Sequence, residues 1–225
     1  MNKTQLLNHL KHFAIKQQTR SYFKKTAPKY IKGKVLDIGA GLNPFRELIK
    51  YEKYVTLDED EKLKPDITGS IYAIPAEKEE FDSAVCTDVI EHLNEPLKAL
   101  KEISRVVKKG GHLYLSAPFI WNLHYEPNDY FRYTKYGLQH LMEQAGFKVI
   151  KIKGIGGIWA FIGARLARLV YAAVKTVLFF LPKINIAIAV LASLPFSFVF
   201  WILSLLLDRF SKCPITFAAV GEKAL

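Results

Sequence analysis

The chain has 225 residues, half of them hydrophobic. That length suits one full α/β domain with an accessory element and excludes two independent enzymes of ordinary size, and the apolar content excludes wholesale disorder. The net charge of +11 is uneven, because residues 1–34 carry +9, residues 151–225 carry +7 and the segment between them carries −5. Basic ends around a mildly acidic centre suggest that the ends face a polyanion, either an anionic lipid surface or nucleic acid, while the centre acts on a small molecule. For the N-terminal end, ordinary solubilising lysines are the alternative.

The N-terminal segment, residues 1–32, is predicted to be a basic amphipathic helix. Its apolar side chains recur at helical spacing with lysines between them, so it can pack on a domain or lie on lipid. His9 and His12 lie one helical turn apart without a third ligand, and the two cysteines, Cys86 and Cys213, lack metal-ligand spacing. The sequence therefore predicts no metal site and no disulfide framework.

Short apolar runs then alternate with helix-like stretches. After Gly33 comes an apolar run ended by glycine, which is typical of a buried parallel strand. Alternation of this kind predicts an α/β fold with a seven-stranded, mostly parallel Rossmann-like sheet and helices on both faces. Thr134 is a good N-cap for one of the helices. The further strands are predicted at residues 54–57, 81–86, 112–116, 147–152 and 215–220, and the clearest helices at 95–107 and 134–144.

A glycine-rich turn directly after the first strand suggests a cofactor site. Gly39 and Gly41 allow the backbone to approach a ligand closely, and Asp58 ends the second strand where a carboxylate can accept hydrogen bonds from ribose hydroxyls. A dinucleotide site requires a third glycine where this chain has Pro44, which has no N–H for a pyrophosphate. Together with Asp37 in the strand end, this departure favours S-adenosylmethionine over NAD.

At this point the sequence resembles the class I S-adenosylmethionine-dependent methyltransferases, and within them the Methyltransferase type 11 group. Four segments carry the resemblance: the first motif at residues 37–41 (DIGAG), the second at 57–58, the fourth-strand motif at 81–93 (FDSAVCTDVIEHL) and the turn into the fifth strand at 108–113 (KKGGHL). The combination is specific although each piece alone is not. The resemblance implies S-adenosylmethionine as the cofactor.

Carried over position by position, the resemblance also assigns cofactor contacts. Asp37, Gly39 and Gly41 would surround the methionine end, and Asp58 would bind the ribose. Many relatives have an aspartate where this chain has a serine beside the adenine, which makes that contact weaker. The remaining cofactor contacts implied by the resemblance are Ser70 and Ile71 at the adenine and Thr87 at the end of the fourth strand. The alternative for Thr87 is a plain structural role at the strand end.

The loop after the fifth strand, residues 117–134, is rich in aromatic and ionisable side chains. It resembles the His-x-x-Pro-x-Asp-x-x-Arg-x-Thr loop of methyltransferases associated with surface-polysaccharide pathways, and loops at this edge of a parallel sheet hold substrates. His124 is the predicted general base, with Glu126 and Asp129 to orient or replace it. Arg132 would hold an anionic acceptor, with Tyr130 beside it. The alternative is that Asp129 and Arg132 form a loop ion pair and the aromatic residues only pack.

An apolar insertion precedes the last strand. Residues 186–207 contain no charge over 22 positions, enough to cross a bilayer core of ~30 Å as a helix, with Pro195 near the middle. Residues 159–181 place three basic side chains on one face of an otherwise apolar helix, as in interfacial helices. The alternative is a buried helical pair. Because the last strand must rejoin the sheet, we expect a monotopic or hairpin anchor rather than a single crossing. The three basic positions are Arg165, Arg168 and Lys175.

These predictions divide the chain into a helical segment (1–32), a cofactor-binding domain (33–157), a membrane-associating insertion (158–209) and the final strand (210–225). They favour a membrane-associated methyltransferase at the cytoplasmic face, acting on an oxygen or nitrogen of a small, lipid-linked or glycan-pathway acceptor, with no nucleic acid as partner. A catalytically inactive membrane adaptor and an RNA methyltransferase are the alternatives.

Overall fold

The computed structural model describes residues 13–41, 45–178, 185–208 and 213–225. The chain forms two compact units. The larger unit comprises Tyr22–Gly154 and Thr216–Leu225, and the smaller comprises Met1–Ser21 and Ile155–Ile215.

The larger unit contains a seven-stranded sheet with the strand order β3-β2-β1-β4-β5-β7-β6. Pairs between β1, β2, β3, β4 and β5 are parallel, whereas β7 is antiparallel to β5. The predicted mostly parallel, Rossmann-like sheet is therefore confirmed. The strands are β1 (Lys34–Ile38), β2 (Lys53–Asp58), β3 (Ile67–Thr68), β4 (Phe81–Thr87), β5 (Val107–Pro118), β6 (Phe147–Ile155) and β7 (Thr216–Lys223).

The helices of the larger unit follow the sequence pattern. Helix α1 (Phe13–Thr26) begins in the smaller unit and ends in the larger one, α2 spans Pro96–Val106 and α3 spans Lys135–Gln144. Helix α2 buries four apolar side chains at helical spacing, which join the apolar core that also contains β4 and β5 side chains. The Thr134 hydroxyl caps α3 by accepting a hydrogen bond from the backbone N–H of Gly137.

Two sequence predictions differ from the structure in extent. Strand β3 was not among the predicted runs, because two residues are too few to show an alternating pattern. The last strand, predicted at residues 215–220, extends from Thr216 to Lys223. Residues 1–12 of the predicted N-terminal helix and Pro44 of the glycine-rich turn lie outside the described residues.

The smaller unit contains the apolar insertion, as helices α4 (Ile158–Val177) and α5 (Asn185–Leu207). The two helices pack so closely that a Cβ atom added to Gly163 would clash with the side chain of Phe200. At one end, Asp208 accepts hydrogen bonds of 3.0 Å from the backbone N–H groups of Trp159 and Ala160. The start of α4 and the end of α5 therefore lie together, which makes the insertion an antiparallel helical hairpin.

Much of the surface of α5 is apolar and exposed. Within the described residues one helical segment, Ile188–Leu207, is long and apolar enough to cross a membrane, with a mean hydropathy of 2.3. On α4, Arg168 and Lys175 are exposed and Arg165 is half-buried, with its guanidinium 4.6 Å from the centre of the Phe161 ring. The exposed apolar side chains of α5 include Leu191, Phe198, Val199, Ile202, Leu205 and Leu206.

Candidate functional site

A cavity of about 480 Å³ opens at the carboxyl ends of β1, β2 and β4. This is the place where the strand order reverses, between β1 and β4, and where ligands of open α/β sheets bind. Four of the seven predicted cofactor residues line the cavity: Gly39, Gly41, Asp58 and Ile71.

The glycine turn adopts backbone conformations that suit glycine. Gly39 has a φ of +64° and Gly41 a φ of +52°, both in the left-handed region. A Cβ atom on Gly39 would lie 2.5 Å from Cγ2 of Val89, so a side chain would displace the segment after β4. The turn therefore depends on glycine for its shape as well as for access to the cavity.

Asp58 is hydrogen-bonded both to the glycine turn after β1 and to the segment after β2. Its Oδ2 accepts a hydrogen bond of 3.0 Å from the backbone N–H of Gly41, and its Oδ1 accepts one of 3.0 Å from Asp60. A carboxylate has about four lone-pair positions, so two hydrogen bonds leave capacity for the hydroxyl groups of a ligand. The arrangement fits the predicted ribose contact.

Asp37, Ser70 and Thr87 do not line the cavity. Asp37 is buried, accepts a 2.7 Å hydrogen bond from the Tyr54 hydroxyl, and has its pKa raised to about 7, mainly by burial. Ser70 instead accepts a hydrogen bond of 3.3 Å from the backbone N–H of Tyr72. Their assigned cofactor contacts remain predictions.

Asp88, which was not singled out in the sequence, lines the cavity next to Thr87. It has a φ of +54°, and its carboxyl accepts a hydrogen bond of 3.0 Å from the Ser116 hydroxyl. Its position after a buried strand that ends at the same sheet edge as Gly39 was the available sequence signal.

The loop predicted to bind the acceptor is held by an ion pair. Both terminal nitrogens of Arg132 donate to the carboxylate of Asp129, at 2.7 and 2.6 Å, and Nη2 also donates to the Asn122 carbonyl. These hydrogen bonds hold the pKa of Asp129 well below its usual range. The loop ion pair considered as an alternative is therefore present, and the guanidinium of Arg132 is engaged within the loop.

The other loop residues occupy different positions. His124 donates its backbone N–H to Asp129 Oδ2 at 2.9 Å, so these two predicted residues lie together. Glu126 and Tyr130 are exposed and do not line the cavity. Tyr125 and Asn128, which were not predicted, do line it.

Glu91 and His92 follow β4 and lie next to this loop. Glu91 is fully buried, neither of its carboxyl oxygens has a hydrogen-bond partner among the described residues, and burial raises its pKa to about 9. His92 lines the cavity, and burial lowers its pKa. The rings of His92 and His124 meet edge to face, with their centres 4.6 Å apart. From the sequence, neither residue was assigned a role in the site beyond its place in the fourth-strand motif.

Among the described residues, Glu91, His92 and His124 form the one group whose ligand atoms lie close enough together, within 4.8 Å, to hold a metal ion. The sequence predicted no metal site, because His124 is distant in the chain from the adjacent residues Glu91 and His92 and meets them only in the fold.

Comparisons with known proteins agree with this architecture. Residues 36–115 match the family model described as "Methyltransferase domain". An uncharacterised methyltransferase of Schizosaccharomyces pombe is 33% identical over 93 residues, which are 38% of this chain and 32% of that protein. A tRNA U34 carboxymethyltransferase of Campylobacter hominis is also 33% identical over 93 residues, 36% of this chain and 33% of that protein. The chain thus spans about a third of the length of these curated relatives.

Solved structures show the same fold at low identity. A methyltransferase dependent on S-adenosylmethionine from Archaeoglobus fulgidus has a TM-score of 0.58 and 15% identity, covering 91% of this chain and 93% of that one. Phosphoethanolamine N-methyltransferase 2 of Haemonchus contortus, in complex with S-adenosylmethionine, has a TM-score of 0.55 and 14% identity. The match covers 91% of this chain and 52% of that one. The class I fold expected from the resemblance is confirmed.

Proposed function

Since residues 36–115 of this chain belong to the Methyltransferase type 11 group of class I methyltransferases, we propose that the protein is a membrane-associated, S-adenosylmethionine-dependent methyltransferase. Its acceptor is an oxygen or nitrogen of a small or lipid-linked molecule of a glycan pathway. The observation that carries the catalytic part is the cavity at the β1/β4 switch point, lined by Gly39, Gly41 and Asp58.

The wall of the cavity suits the chemical groups of the cofactor. Asp58 has free acceptor capacity for ribose hydroxyls, and the glycine turn leaves room for the methionine end. Ile71 and Leu93 offer an apolar surface for the adenine ring. When bound, S-adenosylmethionine supplies a methyl group activated by a positively charged sulfur.

The acceptor is placed by the loop after β5. Tyr125 and Asn128 line the same cavity as Asp58, so a molecule held against them would face the cofactor. Methyl transfer is an in-line displacement, which requires alignment of the nucleophile and removal of a proton if the nucleophile is a hydroxyl. We assign proton removal to the group around His124, because its imidazole lies beside His92 at the cavity edge.

Membrane association rests on the hairpin of α4 and α5. Asp208 holds the two ends of the hairpin together, so the chain leaves and re-enters at one side, as a monotopic or hairpin anchor requires. The apolar surface of α5 would enter the bilayer, and Arg168 and Lys175 would face lipid phosphates. The basic N-terminal segment would add attraction to the cytoplasmic leaflet.

An RNA acceptor is the second candidate. The relative in Campylobacter hominis acts in tRNA modification by its name, and the N-terminal segment is basic. The apolar hairpin favours the lipid-linked acceptor, since a soluble RNA substrate gives no reason to expose so much apolar surface.

The deciding experiment is calorimetric titration of S-adenosylmethionine into the detergent-solubilised protein, followed by transfer of a radiolabelled methyl group. The protein would be incubated with a membrane lipid extract and, separately, with total RNA. Saturable cofactor binding and label in the lipid extract support the proposal. Label in RNA alone would favour the second candidate, and absence of cofactor binding by folded protein would favour an inactive adaptor.

A further inference from the structure

We propose that Glu91, His92 and His124 form a binding site for one divalent transition-metal ion at the edge of the cofactor cavity. The Nε2 atom of His92 lies 3.8 Å from Oε1 of Glu91, and Nε2 of His124 lies 3.9 Å from the same oxygen. One carboxylate oxygen and two imidazole nitrogens thus surround one point. We call these three residues the EHH cluster.

The backbone fixes which ring nitrogen of each histidine is available. Nδ1 of His92 lies 2.7 Å from the carbonyl oxygen of Asn128, and Nδ1 of His124 lies 3.1 Å from that of Asn122. A carbonyl oxygen only accepts, so Nδ1 carries the proton and donates in both rings. The lone pair of each neutral ring is therefore on Nε2, the atom that faces Glu91. Metal-binding histidines are oriented by the same kind of contact between the other ring N–H and a carbonyl.

The carboxyl group of Glu91 is the second, independent observation. It is fully buried, and neither oxygen has a hydrogen-bond partner among the described residues. A buried polar group without a partner is costly and uncommon in native structures. A cation between the three residues would satisfy Oε1 of Glu91 and both Nε2 lone pairs together.

The ligand types indicate the class of ion. Two imidazoles and one carboxylate suit Zn²⁺, Fe²⁺, Mn²⁺ or Co²⁺, whereas Ca²⁺ and Mg²⁺ prefer oxygen ligands. Metal–ligand bonds of about 2.0–2.2 Å place tetrahedral ligand atoms roughly 3.4 Å apart, so both Nε2 atoms must approach Oε1 of Glu91 by a few tenths of an ångström and each other by up to about 1.4 Å. The side chain of His124 is 35% exposed, which leaves room for an exchangeable ligand on that side. Three protein ligands and an open position are typical of catalytic rather than structural sites.

The position suggests what the ion does, and this step rests on the proposed function. His92 lines the cofactor cavity, so an ion on the EHH cluster lies where an acceptor would meet the cofactor. A bound divalent ion lowers the pKa of a coordinated hydroxyl and orients it. His124 would then act as a metal ligand in place of the base assigned above, and the ion would lower the pKa of the coordinated acceptor hydroxyl so that its proton passes to solvent water.

Metal binding can be measured without the cofactor. The full-length protein in detergent would be stripped with a chelator, and ZnCl₂ would be titrated by calorimetry, with CoCl₂ added separately to record visible absorption. We expect one Zn²⁺ ion per protein to bind at the EHH cluster. Glu91→Gln and His124→Ala should weaken that site by at least the ~10–100-fold seen when outer-sphere partners are removed. The control is His140→Ala, which removes an exposed histidine of α3.

The outcomes separate this inference from the proposed function. Unchanged Zn²⁺ affinity in both cluster variants, or no binding by the wild-type protein, would overturn the metal site. The cobalt spectrum should change in His124→Ala and remain as in the wild type in His140→Ala. Because Glu91 is buried, folding of the variants is checked by circular dichroism, and His124→Ala decides if Glu91→Gln does not fold. Titration of S-adenosylmethionine into the metal-free protein tests the proposed function independently.

Discussion

The phenolic hydroxyl of Tyr54 donates a hydrogen bond of 2.7 Å to Oδ2 of Asp37 beneath the glycine turn. Tyr54 is the second residue of β2 and Asp37 the fourth of the neighbouring strand β1, so this contact links the two strands. Burial raises the pKa of Asp37 to about 7, and the hydrogen bond from Tyr54 opposes part of that rise. The pair therefore makes the stability of the folded chain depend on pH.

The free energy of unfolding should fall as pH rises from about 4 to about 7 because of Asp37. In this interval an aspartate of the unfolded chain, with a pKa of 3.8, is ionised while folded Asp37 keeps its proton. The folded state then binds more protons, so its stability decreases by up to about 1.4 kcal/mol per pH unit and levels off above about pH 7. Denaturation of wild-type protein and Asp37→Asn across this range measures the difference. Equal pH slopes would contradict the assignment.

Tyr54→Phe should extend the pH dependence to higher pH. The variant loses the hydrogen bond that lowers the pKa of Asp37 while keeping the apolar ring. The interval in which folded Asp37 stays protonated becomes wider. The same denaturation series would show the slope continuing beyond the wild-type limit. In the Tyr54→Phe/Asp37→Asn double variant this extension should disappear.

Asp58→Ala should weaken the binding of S-adenosylmethionine. The substitution removes the acceptor for Gly41 and Asp60 as well as the predicted ribose contact. Hydrogen bonds to charged groups contribute about 1.5–3 kcal/mol, which corresponds to a loss of roughly 10–100-fold in affinity. Calorimetry measures the effect, with the exposed neighbour Glu61→Ala as the control. Unchanged affinity in a folded Asp58→Ala protein would place the ribose elsewhere.

Gly163→Leu should separate α4 from α5. The glycine is buried where the side chain of Phe200 approaches the α4 backbone, so a leucine has no space there. Overpacking of this kind costs typically 1–3 kcal/mol. Limited proteolysis in detergent should therefore cut the hairpin faster than in the wild type. Leu169→Ala, at an exposed position of α4, should leave the rate unchanged.

Lysine on the exposed surface of α5 should reduce membrane binding. Phe198 and Leu205 are 57% and 52% exposed, and the proposed anchor places both in the bilayer. A lysine at the centre of a membrane helix costs about 2.5–3.5 kcal/mol. Flotation with anionic phospholipid vesicles would measure the bound fraction of Phe198→Lys and Leu205→Lys. Tyr136→Lys, at a 70% exposed position on α3, adds the same charge outside the hairpin. Equal flotation of all three variants would argue against this surface as the anchor.

Sequence patterns predicted the features that depend on neighbouring residues. The glycine turn, Asp58 at the end of β2 and the Thr134 cap each have a local signal: an apolar run ended by glycine, a carboxylate at a strand end, and a hydroxyl before a helix. The Asp129–Arg132 pair was also foreseeable as an alternative, because three positions in one loop separate the two residues.

Features that depend on distant segments were not predicted. Glu91 and His92 follow β4, whereas His124 and Asn128 belong to the loop after β5, and a pattern read along the chain does not bring them together. Asp88 had a local signal in its position directly after β4, whereas the hydrogen bond that it accepts from Ser116 of β5 had none. Which carboxylates face the cavity depends on backbone conformation at the strand ends, such as the positive φ of Asp88.

The place of β7 in the sheet sets an order of events during synthesis. This strand lies between β5 and β6, yet it follows both helices of the hairpin in the chain. During translation, β5 and β6 are therefore synthesised before β7, the strand that lies between them in the sheet. The apolar hairpin also leaves the ribosome before β7 does. Translation thus allows the proposed membrane anchor to form before the sheet is complete.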